Sequence, residues 1–279
     1  MVLLLYFLNV VCSSGQSVLN KHYASGGGKT APFNICRAFS ALVIFAAIAL
    51  ISGFSVHTPT VLFGAVYGLM LCGSMYTGFK ALALGPMSLT GTIASFSLIV
   101  PVLFGLCFLR EKLSVIGIVG IALLLASIVL INYKKGGDIS VKWSIFSILT
   151  LLFNGGCSVI QKIHQIRFPT LYRNEFMVWA MLTTWLVLVI ISLFQKEQSN
   201  KIPFTVLGVI SGAMNGFANY IVLYLAALEN ATVLFPIVSA ANTVAVWVLG
   251  RFMFKEKLTP SGIIGLVMGI AAVVLLKIN

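Results

Sequence analysis

An all-α membrane protein of ten transmembrane helices, built as two inverted five-helix repeats, is the fold this sequence predicts. Three observations carry that prediction. The first is composition. Of 279 residues, 59% are apolar and 9% are charged, where an ordinary globular chain carries roughly 25% charged residues. The mean hydropathy is +1.06. So little charge cannot wet a surface of this size, and lipid must be the solvent for most of the chain. The second is length. A transmembrane helix takes about 20 mostly apolar residues, so ten of them use roughly 200. The remainder leaves about eight residues per connection, which suits hairpin loops. The apolar runs are continuous rather than alternating, which excludes a β-barrel. The third is an internal repeat.

In chain order the apolar runs predict spans at 2–20, 32–52, 59–80, 87–109 and 114–132, then at 143–163, 172–194, 203–228, 231–251 and 260–277. Met1–Val11 has no basic segment before it and no A-x-A-like site before Lys21. It reads as the first span rather than as a cleaved signal peptide. The most polar stretch is 133–142, YKKGGDISVK, where Gly136-Gly137 interrupts any helix. It separates a first half, 1–137, from a second, 138–279.

The halves match when the chain is slid by 145 positions. Asn9, Cys12, Ser13 and Gln16 meet Asn154, Cys157, Ser158 and Gln161. Glu111-Lys112-Leu113 meets Glu256-Lys257-Leu258, and Gly117 and Gly120 meet Gly262 and Gly265. Several of these are polar types that are rare in lipid, which marks a duplication. Five spans per half is an odd number, so the halves enter the membrane in opposite directions. A binding site is then expected near the midplane where the halves meet.

The net charge of +12 is not a nucleic-acid signal. The basic residues are scattered one to three per loop, as in a membrane protein facing anionic lipid. The cysteines Cys12, Cys36, Cys72, Cys107 and Cys157 all fall in apolar runs and form no CxxC pair, so neither a zinc site nor a redox motif is expected. His22, His57 and His164 are far apart in sequence and show no HExxH or HxxxH spacing. No G-x-S-x-G elbow occurs. The run Gly26-Gly27-Gly28-Lys29-Thr30 lacks the spacing of a phosphate loop. The sequence thus predicts no enzyme, no cofactor and no metal.

A polar side chain in a span must find a partner or a cavity. Asn9, Ser13, Gln16 and Asn20 form one stripe at helical spacing on the first span, and Asn154, Ser158, Gln161 and Gln165 repeat it on the sixth. Two readings apply. The stripes line a substrate path, or they are interhelical packing contacts worth roughly 1 kcal/mol or less each. Ser211, Asn215 and Asn219 make a further stripe on the eighth span, interleaved with Gly208, Gly212 and Gly216, which suggest close helix contact. Asn242 and Thr243 on the ninth span and Thr92 and Ser95 on the fourth are lining candidates of the same kind. Arg37, inside the second span, is a cavity cation or snorkels to the surface. Together with Lys80 and Lys162 it would favour an anionic group on the substrate. Tyr76, Trp179, Tyr220, Tyr224 and Trp247 could stack on a ligand, whereas Tyr133 and Trp143 look like interfacial belt residues. Glu175, which opens the seventh span, is the proton-coupling candidate. Its plainer reading is an acid at a helix N-terminus paired with Arg173.

The stretch GFKALALGPMSLTGTIASFSLIVPVLFGLCFLREKLSVIGIVG (78–120), repeated as YLAALENATVLFPIVSAANTVAVWVLGRFMFKEKLTPSGIIG (224–265), resembles the EamA-type transporters of the drug/metabolite transporter superfamily. The EKL loop followed by spaced glycines is its most specific element. Arg37, shortly after Pro32, also resembles that family's arginine. The resemblance implies ten helices, a central cavity and alternating access, and it fixes no substrate. Members commonly carry basic residues before the first span and in the second loop. Here Met1–Val11 has none and Ser52–Thr60 has only His57. Odd-numbered loops hold eleven basic residues and the opposite side six, which favours both termini outside. The resemblance favours both inside, so orientation stays open.

The expected function is secondary transport of a small polar metabolite, amino acid-like or another small organic solute. The alternative is a translocase of lipid-linked sugars. The expected partners are the solute and the bilayer, with no nucleic acid; a homodimer stays open. The expected location is the plasma (cytoplasmic) membrane, as an integral multi-pass protein.

Overall fold

The computed structural model describes residues 2–25, 30–84, 94, 96–112, 114–132, 141–169, 171–194, 205–254 and 260–278. The described residues are helical almost throughout. In chain order the helices are α1 (Val2–Ser25), α2 (Thr30–Ser52), α3 (Thr58–Leu84), α4 (Ile99–Cys107), α5 (Val115–Asn132), α6 (Val141–Arg167), α7 (Arg173–Phe194), α8 (Val206–Leu225), α9 (Ala231–Phe254) and α10 (Pro260–Ile278). A short 3₁₀ turn, Phe96–Leu98, leads into α4.

Among the described residues, six helices are long and apolar enough to cross a membrane: α1, α2, α3, α6, α7 and α8. Four shorter apolar stretches, Phe96–Cys107, Val115–Ser127, Ala231–Asn242 and Ile263–Ala272, fall on α4 with its leading turn, α5, α9 and α10. Many large apolar side chains are exposed, among them Leu3, Phe7, Leu50, Ile118 and Val267. A surface of that kind belongs in lipid. The chain is an integral multi-pass membrane protein.

Packing divides the helices differently from the sequence repeat. One unit comprises Met1–Cys72 and Ile163–Ala227; the other comprises Gly73–Lys162 and Leu228–Asn279. Each draws on both halves of the chain. In the first unit α2 packs against α7 and α8, and α1 packs against α8. In the second, α5 packs against α10, and α9 against α4 and α10. The 145-residue offset maps α2 onto α7 and α5 onto α10. Duplicated helices therefore pack against each other within one unit.

Small residues set the closest contacts. The glycines expected to bring α8 near another helix do so against α2. A Cβ on Gly212 would run into the carbonyl oxygen of Arg37 and the hydroxyl of Ser40, and one on Gly216 would lie 2.7 Å from Phe45. Ser40 Oγ donates to the Val209 carbonyl at 2.9 Å, which ties α2 to α8 at the same level. The duplicated pair repeats the device. A Cβ on Gly68 of α3 would lie 2.6 Å from the Ala180 carbonyl of α7. In the second unit Ser127 Oγ of α5 donates to the Gly265 carbonyl of α10 at 2.6 Å. Without a hydrophobic force between helices in lipid, close backbone approach and interhelical hydrogen bonds supply the attraction.

The EKL motif has a structural task in the second unit. Glu111 Oε1 accepts from the Ala231 N–H at 3.0 Å, and Oε2 accepts from the Thr232 N–H at 2.9 Å. These are the first two residues of α9, so the carboxylate satisfies N–H groups that have no partner within the helix and complements its dipole. Gly105 leaves the room, because a Cβ there would lie 2.6 Å from Glu111 Oε2. Lys162 Nζ, at 4.0 Å from Glu111 Oε1, donates to the Glu229 carbonyl. Ser114 Oγ accepts from the Gly117 N–H at 3.2 Å and caps α5. The second EKL copy, Glu256-Lys257-Leu258, lies outside the described residues, as does Leu113 of the first.

Adding one methyl group at the α2–α8 crossing should be costly. Gly212→Ala is expected to lose about 1–3 kcal/mol, read as a lower thermal midpoint in mild detergent. An unchanged midpoint would show that the two backbones are not in contact.

Candidate functional site

The α2–α8 crossing holds a polar cluster within the first unit. Arg37 follows the chain at the point where Gly212 touches its carbonyl, so its side chain leaves α2 beside α8. Arg37 Nη2 donates to Asn215 Oδ1 at 2.8 Å. Asn219 Nδ2 donates to the Asn215 carbonyl at 2.9 Å and approaches Asn215 Oδ1 at 3.3 Å. Tyr67 of α3 donates its hydroxyl proton to Asn219 Oδ1 at 2.7 Å. Asn215 is buried, while Arg37 and Asn219 are half-buried. Arg37 Nε is buried and has no hydrogen-bond partner among the described residues. Among the described residues the guanidinium thus has a neutral amide as its hydrogen-bond partner. It keeps a donor available, and it faces no carboxylate at ion-pair distance among the described residues. An arrangement of this kind can bind an acceptor group on a ligand.

The sequence placed Arg37, Asn215 and Asn219 among the substrate-binding candidates, and the fold brings these three together. It missed Tyr67, which is fully buried on α3 and has Gly212 as its repeat counterpart, so no shared pattern marks it. The other candidates of the first unit lie elsewhere. Asn9 is buried, and its amide donates to the Ala218 carbonyl at 2.9 Å, joining α1 to α8. Ser13 offers its carbonyl to Ser17 Oγ at 2.9 Å, and Gln16 is half-buried on α1. Asn20 Oδ1 accepts from Ser211 Oγ at 2.8 Å, a second tie from α1 to α8. Trp179 packs its ring 6.3 Å from that of Phe54, and its Nε1 is buried without a partner among the described residues.

Glu175 is buried near the start of α7, where Oε1 accepts from Ser55 Oγ at 3.3 Å. Its expected pairing with Arg173 is not what the geometry gives. Arg173 turns instead to Gln165 and Tyr224, with Nε donating to Gln165 Oε1 at 2.9 Å. Two of the three histidines, distant in sequence, also converge. His57 Nδ1 and His164 Nε2 both reach Thr60 Oγ1, at 2.9 and 3.2 Å.

In the second unit Asn154 Oδ1 accepts from Ser74 Oγ at 2.5 Å, joining α6 to α3. The corresponding pair of duplicated helices is joined as by Asn9, but through a different bond, since Asn9 donates to a backbone carbonyl and Asn154 accepts from a hydroxyl. Ser158 Oγ reaches back to the Asn154 carbonyl at 3.4 Å, Gln161 is buried on α6, and Asn242 is half-buried on α9. Tyr76 is exposed, with Lys80 Nζ 5.7 Å from its ring centroid. Lys162, considered as an anion-binding cation, is engaged at the start of α9 as described above. Thr92 and Ser95, and the side chains of Thr243 and Trp247, lie outside the described residues. Among the described residues no group of three or more His, Cys, Asp or Glu could hold a metal.

The Arg37–Asn215 contact can be measured directly. Asn215→Leu should cost about 1.5–3 kcal/mol, the worth of a hydrogen bond to a charged group. Arg37→Met in that background should recover part of the loss in a double-mutant cycle on thermal unfolding. Additive losses would mean that the two side chains do not interact.

Comparison with known families matches residues 1–133 and 141–278, two successive segments, to the EamA-like transporter family. No curated protein matches the chain. One solved crystal structure aligns with a TM-score of 0.79 at 17% sequence identity, covering 99% of this chain and 96% of its own. That likeness shows a shared fold.

Proposed function

The chain belongs to the EamA-like transporter family, and we propose that it moves a small polar metabolite, amino acid-like or another small organic solute, by alternating access. The family makes it a membrane transporter of the drug/metabolite type, and the remaining detail is our reading. We infer ten spans, with two five-helix repeats (1–137 and 138–279) of opposite orientation; the match of the family to two successive segments supports the duplication.

The observation that carries the solute reading is the guanidinium of Arg37. A charge within a span costs around 3 kcal/mol on insertion scales. Here the side chain meets a neutral amide on Asn215 and keeps a buried donor available on Nε. Such a charge favours a ligand that brings an acceptor. Tyr67 holds Asn219, whose amide approaches Asn215 Oδ1 at 3.3 Å, so the recognition surface is preorganised. In this reading Arg37 and Asn215 contact the solute. Asn219 orients Asn215. Gln16, Gln161, Ser13, Ser158, Tyr76, Trp179 and Asn242 remain lining candidates. Asn9 and Asn154 contribute chiefly by holding helices together, and Glu175 stays the proton-coupling candidate.

The test is thermal unfolding of the purified protein in mild detergent against cationic, zwitterionic, anionic and lipid-linked compounds. A ligand that binds only the folded state raises the midpoint with concentration. A soluble compound is expected to do so, and to be carried into proteoliposomes. Arg37→Gln should weaken both effects at least tenfold, and alanine at both Gln16 and Gln161 should abolish flux without unfolding the protein. Stabilisation by lipid-linked compounds alone, unaffected by Arg37→Gln, would replace this reading with a lipid-linked sugar translocase.

A further inference from the structure

A second polar cluster of the first unit is not used by that reading. It begins at His57, ahead of α3, and ends at Arg173, the first residue of α7. His57 Nδ1 lies 2.9 Å from Thr60 Oγ1, and that hydroxyl lies 3.2 Å from His164 Nε2. His164 Nδ1 is 2.9 Å from Gln165 Nε2, and Gln165 Oε1 accepts from Arg173 Nε at 2.9 Å.

The direction of the bonds from Arg173 back to Thr60 follows from the last member of this chain. A guanidinium only donates, so the Gln165 amide must turn its oxygen to Arg173 and its nitrogen to His164. His164 Nδ1 is then an acceptor without a proton, and the ring proton sits on Nε2, donating to Thr60. The Thr60 hydroxyl oxygen is also within hydrogen-bonding distance of His57 Nδ1. Thr60, His164 and Gln165 are all buried, with exposures of 0%, 0% and 1%. Phe63, Phe168 and Phe176 pack around the His164 ring, so water is poorly placed to replace a lost bond.

The chain holds Arg173 without neutralising it. Only Nε is engaged. The guanidinium lies over the Tyr224 ring, 4.2 Å from its centroid, which is a favourable cation–π contact. Nη2 is buried and has no partner among the described residues. Arg173 is 8% exposed. The carboxylate two residues on, Glu175, is bonded to Ser55. A buried, oriented guanidinium with open N–H groups and, among the described residues, no counter-charge at ion-pair distance is short of an anion. The Nη2 N–H groups, held in a planar fork beside an aromatic ring, match the planar geometry of a carboxylate.

We propose that Arg173, stacked on Tyr224, is a binding station for the carboxylate of a small organic acid. Gln165, backed by His164, Thr60 and His57, is its positioning residue. The station is separate from Arg37. Tyr224 lies nine residues along α8 from Asn215, about 14 Å at 1.5 Å rise per residue, beyond the reach of one small carboxylate. The proposal rests on the transport reading only for the idea that the acid is cargo; binding at Arg173 stands or falls by itself.

The experiment uses the purified full chain in mild detergent at constant ionic strength. Sodium succinate, neutral succinamide and sodium phosphate are titrated in turn while thermal unfolding is followed. Succinate is expected to raise the midpoint with concentration, and the other two are not. Arg173→Gln should weaken the succinate response at least tenfold. Should Arg173→Gln not fold, Arg173→Lys, which keeps the charge but lacks Nη2, decides in its place with the same loss expected. Gln165→Leu should weaken the response several-fold. It should also shift the His164 Nδ1 nitrogen resonance away from its unprotonated, hydrogen-bonded position, which a purely packing role would leave alone. No succinate response in the wild type, an equal response to succinamide or phosphate, or an undiminished response in the Arg173 variant would each overturn the proposal. Succinate binding through Arg173 in a protein that carries no solute into proteoliposomes would instead sink the transport reading.

Discussion

The close approach of α2 and α8 at Gly212 is the contact on which the rest of the first unit depends. It allows the Arg37 carbonyl and the Ser40 hydroxyl to lie against the α8 backbone. It thereby fixes where the Arg37 side chain begins. The guanidinium then has Asn215 as its neighbour, and through Asn219 the arrangement reaches Tyr67 on α3. In lipid a polar group cannot fall back on water. The position of a backbone crossing therefore decides which amides and hydroxyls are paired and which keep a donor in reserve.

Much of this was legible in the sequence. Composition gave the solvent, and the 145-residue offset gave the duplication. The glycine spacing on α8 announced a close helix contact, which forms against α2. Legibility ended where partners come from distant helices. Asn9 and Asn154 were recognisable as unusual residues, but their acceptor and donor, the Ala218 carbonyl and Ser74 Oγ, carry no sequence mark. A backbone carbonyl is the same at every position. Glu111 stood out as part of a motif, yet its task depends on α9 starting within reach of it. His57 and His164 are 107 positions apart in the chain, and only the fold brings both to Thr60. Arg173 looked like a local partner of Glu175 because the two are neighbours in sequence. At the first turn of a helix, residues two apart point in different directions, and each found a partner across the unit instead.

The two packing units are not the two halves of the gene product. Each unit pairs a helix with its own duplicate, α2 with α7 and α5 with α10. A self-complementary contact between copies is what an ancestral pair of identical chains would have offered. The duplicated asparagines likewise join corresponding helix pairs, through different bonds. Asn9 ties α1 to α8, and its duplicate Asn154 ties α6 to α3, so each asparagine bridges the two halves.

The carboxylate at the start of α9 bears on how the protein is made. Glu111 accepts from N–H groups 120 and 121 positions further along the chain. A ribosome that has just delivered Glu111 has still to synthesise the helices α5 to α8 before those N–H groups exist. Through that interval the acid must remain at a water-exposed end of the bundle, because no partner is there to offset its burial. The first turn of α9 can be sealed only when the late-arriving segment comes back to a residue already waiting for it. This contact therefore forms only after α5 to α8 have been made.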